Sequence, residues 1–134
     1  MEIKFTDNSD KVKEELEKAV ERALLYCGIE AQGKARDLCP YDTGLLRNSI
    51  AYALGGEEAV PSTYKADKGD ESGSYSGTAP ADDEGARTVW LGTNVEYAQK
   101  VELGIGQKAE PYIEPAVADY ASKYKEIIEK ELGK

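Results

Sequence analysis

Histidine is absent from this sequence. With it go the usual general base near neutral pH and the commonest neutral metal ligand. Basic residues are also short, 17 against 26 acidic, and the net charge of −9 argues against a phosphate-neutralising face and hence against nucleic-acid binding. Glycosidase-type chemistry would also need a cleft lined with more aromatics than this chain, with 8% of them, offers. The two cysteines, Cys27 and Cys39, fall in one predicted helix, about 18 Å apart at about 1.5 Å per residue. A disulfide spans at most about 7 Å between Cα atoms, so both are read as reduced thiols, with Cys27 partly buried. No window reaches the length of a membrane span, and Met1 to Asn8 has neither a basic nor an apolar leader region. The expectation is a soluble protein made in a cytoplasm.

Catalytic patterns are missing too. There is no Gly-x-Ser-x-Gly and no Cys-x-x-Cys, and no phosphate-cradling Gly-Lys loop is expected. Asp42, Glu96 and Glu102 lie near predicted strand ends and could make an acid/base pair, but charged residues there are far more often solvated. The acidic run Asp67, Asp70, Glu71, Asp82, Asp83 and Glu84 does not follow a calcium-loop pattern. No enzyme, cofactor or metal is indicated.

What is present is a clear order of elements in a chain short enough for one domain, residues 1–134. Ser9 or Asp10 is a candidate N-cap for a helix of about 30 residues that Pro40 must end. Val12, Leu16, Ala19, Val20, Ala23, Leu24, Cys27, Ala31, Ala35 and Leu38 form its broad core-facing stripe. Leu25 and Ile29 point the other way beside Gly28, Gln32 and Gly33, either as scattered surface residues or as a contact patch. Each glycine costs about 1 kcal/mol relative to alanine in a helix, which a kink or close crossing would explain.

Turn chemistry at Tyr41 to Gly44 leads into a strand expected over Arg47 to Leu54. Residues 55–86 are acidic and without helical period, carrying net charge −6 of the total. They read as a flexible arm, a hairpin loop whose only aromatics are Tyr64 and Tyr75, with a possible edge strand near Ala59 to Lys65. A second strand is expected over Arg87 to Thr93, then a helix capped by Asn94 over Val95 to Leu103 with Gly104 as its stop. Residues 105–113 read as extended, ending in an edge strand at Pro111 to Ile113, and Pro115 as the first position of one final helix. The fold class is α+β: a long N-terminal helix and a C-terminal helix on a small, mainly antiparallel sheet with a long acidic hairpin loop.

Three stretches carry a resemblance. Cys39-Pro-Tyr-Asp-Thr-Gly-Leu-Leu-Arg-Asn-Ser-Ile50, Gly92-Thr-Asn-Val-Glu-Tyr-Ala-Gln-Lys-Val-Glu-Leu-Gly104 and Pro111-Tyr-Ile-Glu-Pro-Ala116 resemble, in order, the signatures of the neck, or tail-completion, proteins of tailed bacteriophages of the gene-product-ten type. The matching positions are Pro40, Asp42, Thr43, Gly44, Leu46, Arg47, Ser49, Ile50, Gly92, Tyr97, Ala98, Val101, Glu102, Gly104, Pro111 and Pro115, all with the character of scaffold. Tyr112 and Leu103 stand where the family commonly has phenylalanine, and the arm is longer than the resemblance leads one to expect.

The resemblance implies a virion protein of a phage or prophage, made in the host cytoplasm, at the head–tail interface. Its partners would be the head connector and the tail terminator, and it would form a ring of identical subunits through heterologous contacts. Leu25 and Ile29 would face Tyr97 and Glu102, or the last helix, of the next subunit. Neither membrane nor sequence-specific nucleic-acid contact is implied. A different class of reading is a cytoplasmic adaptor that recognises one partner through the acidic loop, with Tyr64 and Tyr75 as contact residues.

Overall fold

The computed structural model of the chain describes residues 9–133. Met1 to Asn8, read above for a leader, lie outside them, as does any cap in front of the first helix. That helix, α1, runs Ser9–Leu38 and so includes Ser9 and Asp10, the two residues expected to cap it. Pro40 ends it as anticipated.

Only part of the predicted stripe is covered. Ala23, Cys27, Ala31 and Ala35, each four residues on from the last, form the buried line of α1. Val12 and Leu16, expected in the core, are 61% and 55% exposed, and every residue from Lys11 to Lys18 is exposed. Gly28 and Gln32 do not face outward. A Cβ on Gly28 would lie 2.9 Å from both the Tyr52 ring and a Val89 methyl, so glycine is what lets α1 sit this close to the sheet. The Gln32 amide donates to the Ile50 and Val60 carbonyls at 2.8 and 3.0 Å.

The expected first strand is split. Leu45–Ser49 is a short helix, α2, and β1 is only Ala51–Leu54. Leu46 and Ile50 alternate with Asn48 but are also four apart, and a short apolar run fits either period. Gly44, at φ 90°, decides the matter: its carbonyl accepts the Asn48 N–H at 2.9 Å and closes a helical turn.

Within the arm, β2 (Thr63–Lys65) and β3 (Ser72–Ser74) pair antiparallel, and β4 is Val89–Gly92. β1 and β4 pair antiparallel with Tyr52 opposite Leu91 and Leu54 opposite Val89, so the acidic arm is indeed the loop of that hairpin. The Gly55 N–H bonds to the Thr88 carbonyl, and Tyr52 exchanges both backbone bonds with Val60. The alternation of an antiparallel ladder therefore aims the N–H and C=O of Val89 and Leu91 at the outer edge of β4, where no described residue pairs with them.

The remaining helices are α3 (Ala98–Leu103), α4 (Ile113–Ala118) and α5 (Ala121–Leu132). Two expectations fail here. Pro111 to Ile113 is not a strand: Tyr112 is buried, its hydroxyl donating to the Ala98 carbonyl at 3.2 Å. Nor is there one final helix starting at Pro115. The Tyr124 hydroxyl takes the Ala116 carbonyl, which an unbroken helix would give to the Tyr120 N–H, and the chain bends at Asp119 and Tyr120.

α5 runs back along α1, with Lys34 over the Tyr120 ring at 4.9 Å and Arg22 paired to Glu131 at 3.7 Å. The core lies between Ala35 and Cys39 of α1 and its end, Leu46 and Ile50, Ala98 and Val101 of α3, and Tyr112 with Ala116. This is the α+β architecture read from the sequence.

The two helix glycines should behave oppositely. A Cβ on Gly33 would meet no atom within 4 Å, so Gly33→Ala raises stability by about 1 kcal/mol through helix propensity. Gly28→Ala loses more than it gains, because overpacking costs about 1–3 kcal/mol. Thermal melts of the two variants check this, the first moving up and the second down.

Candidate functional site

The first two motifs meet at a joint. The Thr43 carbonyl accepts the Asp67 and Lys68 N–H groups at 2.8 and 3.1 Å. Asp67 answers with its side chain, which accepts from Asn48 at 2.9 Å, from Arg47 at 3.1 Å and from Tyr41 at 3.1 Å. Hydrogen bonds from Asn48 and Tyr41 hold the Asp67 carboxyl below the usual carboxylate range. A side chain on Gly44 would strike this carboxylate.

Ser49, fully buried, shares a hydrogen bond of 2.6 Å with Thr93, so the end of the first motif touches the start of the second. Pro40 to Leu46 and Tyr97 with Val101 enclose a cleft of about 170 Å³ between the two motifs. Asp42 lies exposed at this turn, and Gly92 ends β4 just before Thr93.

The second motif reaches the third through Glu102. Its carboxylate accepts the N–H groups of Tyr112, Ile113 and Glu114 at 2.6, 2.9 and 2.7 Å, satisfying the free N-terminal donors of α4. Pro115, third in that helix, has no N–H to satisfy. Gly104 at φ 74° ends α3 with its N–H on the Lys100 carbonyl, as anticipated. The Glu102 carboxylate is thus committed to the start of α4. Asn94 also departs from expectation: α3 begins only at Ala98, and the Asn94 amide donates to the Ser74 carbonyl at 2.9 Å.

Tyr64 and Tyr75 turn inward. Their rings lie 5.7 Å apart; the Tyr64 hydroxyl donates to Asn94, and that of Tyr75 to the Ser49 carbonyl at 2.7 Å. Both hydroxyls are spent on holding the arm's hairpin to the body. Leu25 is half-buried, whereas Ile29 is 46% exposed.

Among the described residues no group of three or more His, Cys, Asp or Glu could hold a metal ion, and no helix is long and apolar enough to cross a membrane. Cys27 and Cys39 are free and buried; burial pushes both thiols up, Cys39 to about 11. Gly28 to Lys34 has the glycine and lysine spacing of a phosphate loop, but Ala35 replaces the hydroxyl residue and the stretch lies in mid-helix. There its N–H groups serve the helix itself.

The contacts that the sequence did not disclose are polar. Gln32 and Arg36, one turn apart on α1, both bond the Ile50 carbonyl, Arg36 at 3.2 Å. Their only sequence signal is a polar pair four apart beside a line of alanines.

A family model described as "Bacteriophage HK97-gp10, putative tail-component" matches residues 3–104. The chain belongs to this HK97-gp10-like family of phage tail components. The match spans the first two motifs and the joint between them; the third motif lies beyond it. No curated protein and no solved structure matches the chain. Membership makes it a structural phage protein that works with other phage structural proteins.

Two outcomes follow for the joint. Glu102→Ala should cost about 1–2 kcal/mol, in the range of lost helix caps, with Glu102→Gln costing less, as read by chemical denaturation. Asp67 has a folded pKa below its ordinary 3.8, so its contribution is fully present above that value and is lost as pH falls through the folded pKa. The gap in melting temperature between wild type and Asp67→Asn should accordingly close on acidification below about pH 4.

Proposed function

We propose that this HK97-gp10-like protein joins the head connector to the tail, as one subunit of a ring at the head–tail interface of the virion. The observation that carries this reading is where the motif residues go. Thr43, Ser49, Thr93 and Glu102 are engaged in internal hydrogen bonds, so the motifs build a rigid frame and leave recognition to the surface. That surface suits assembly. Large apolar side chains stand exposed on well-tied elements, among them Leu16, Ile29, Trp90, Leu103 and Ile105, and β4 offers an open backbone edge among the described residues.

In this reading residues 1–134 act as one domain, and the outward face of α1 around Tyr26 and Ile29 meets the neighbours above or below the ring. Glu102, capping α4, drops out of the contact set, and Leu25 contributes little. The acidic arm, not free as expected but tied to the body through its hairpin, turns its acidic outer face to the axial neighbour. An adaptor that recognised its partner through Tyr64 and Tyr75 would have to break the bonds those hydroxyls make within the chain, which favours the virion reading.

Electron microscopy of lysates from the parent phage or prophage with this gene disrupted tests the proposal. Separate DNA-filled heads and finished tails are the expected result, and normally joined particles would remove the neck assignment.

A further inference from the structure

The loop that follows α3 is held at both ends yet shows two large apolar side chains to solvent. The Ile105 N–H bonds to the Lys100 carbonyl at 3.2 Å, the Glu110 N–H to the Val101 carbonyl at 2.9 Å, and Gly104 and Gly106 hold positive φ of 74° and 75°. On this fixed turn Leu103 is 61% and Ile105 52% exposed. Burying such a pair is favourable, and nothing within the described residues does so. Lys100 and Lys108 flank them, both exposed. The nearby Glu102 is occupied by α4 and Glu110 stands exposed where the loop ends, so the rim of this apolar tip carries two lysines against one exposed carboxylate.

Elsewhere there is a groove of the opposite character. Leu16, Val20, Leu24 and Ile128 form the apolar floor of a groove of about 710 Å³ between α1, α5 and the end of the arm. Glu17, Asp82 and Asp83 line it, against Lys13 and Arg87. Arg87 is already paired with Glu21 and Asp82. The second Asp82 oxygen, Oδ1, is buried against Gly55, so the carboxylates the groove shows to a neighbour are the exposed Glu17 and Asp83.

The tip cannot fill its own groove. Val101 and Tyr112, at the base of the tip, pack with Cys39, while the groove centres on Val20. Nineteen residues of helix, about 28 Å at about 1.5 Å per residue, separate the two ends. From this charge and shape complementarity we infer that copies of the chain meet head to tail: the Leu103 and Ile105 tip of one seats in the α1/α5 groove of the next, with Lys100 and Lys108 opposite Glu17 and Asp83. Such a contact joins two different patches and closes into a ring when the rotation allows. This inference rests on the ring reading above and supplies its contact.

Sedimentation of the full chain over a range of concentrations provides the test. The wild type should self-associate, and Lys100→Glu with Lys108→Glu, or Glu17→Lys with Asp83→Lys, should each weaken association about tenfold or more. Mixing the two double variants should restore it, since each charge-reversed tip then finds a charge-reversed groove. As a second measurement, Ile105→Cys chains mixed with Leu16→Cys chains should cross-link through a short bismaleimide, the natural thiols being buried. A monomeric wild type, unaltered association in both double variants, no recovery on mixing, or no mixed cross-link would each overturn the contact. Particles that contain the protein while these tests fail would remove the contact and keep the virion role; working tests with normally joined gene-disrupted particles would do the reverse.

Discussion

Everything in this fold depends on how closely α1 lets other elements approach it. Its inner line is Ala23, Cys27, Ala31 and Ala35, with Gly28 beside them, so the helix backbone itself is nearly the packing surface. A two-stranded sheet buries too little to be stable alone. Here the sheet leans on α1 at Gly28 through Tyr52 and Val89, and α5 leans on the same helix beside Cys27. A larger side chain at Gly28 would push the sheet away and reopen the bonds that Gln32 and Arg36 make to the Ile50 carbonyl.

The motif residues extend this logic from one helix to the whole frame. The turn at Thr43 and Gly44 fixes the arm through Asp67, Ser49 and Thr93 join the two motifs, and Glu102 fixes α4. These contacts tie together segments that are apart in the chain, most of them through a backbone N–H or carbonyl. Partners of this kind tolerate little substitution, because moving one leaves a donor or acceptor unpaired. That accounts for a recognisable signature made of residues that hold the frame together.

Legibility follows the range of the cause. The end of α1 at Pro40, the stop at Gly104 and the β1/β4 pairing are readable because proline, glycine and strand alternation act within a few residues. The α2 turn is not, since Leu46 and Ile50 satisfy both periods and Gly44 decides between them. The break between α4 and α5 is invisible because it depends on where the Tyr124 hydroxyl lands. Tyr64 and Tyr75 read as contact residues because the arm has no period of its own; Asn94 and Ser49, thirty and twenty-six residues away, hold them inward. The role of Glu102 is hidden for the same reason, its partners being ten to twelve residues downstream.

The apolar stripe of α1 carries a different lesson. Read by period, it is core over the whole helix; in the folded chain, residues 11–18 are exposed. A soluble monomer gains nothing from apolar side chains placed at helical spacing on a solvated turn, and polar residues there would serve it better. Periodicity reports what a helix is built to bury, not what one copy of the chain can cover. Where the stripe runs past the cover that the described residues give it, the excess, here Val12 and Leu16 beside the groove that Val20, Leu24 and Ile128 continue, is what the inferred contact between copies would bury.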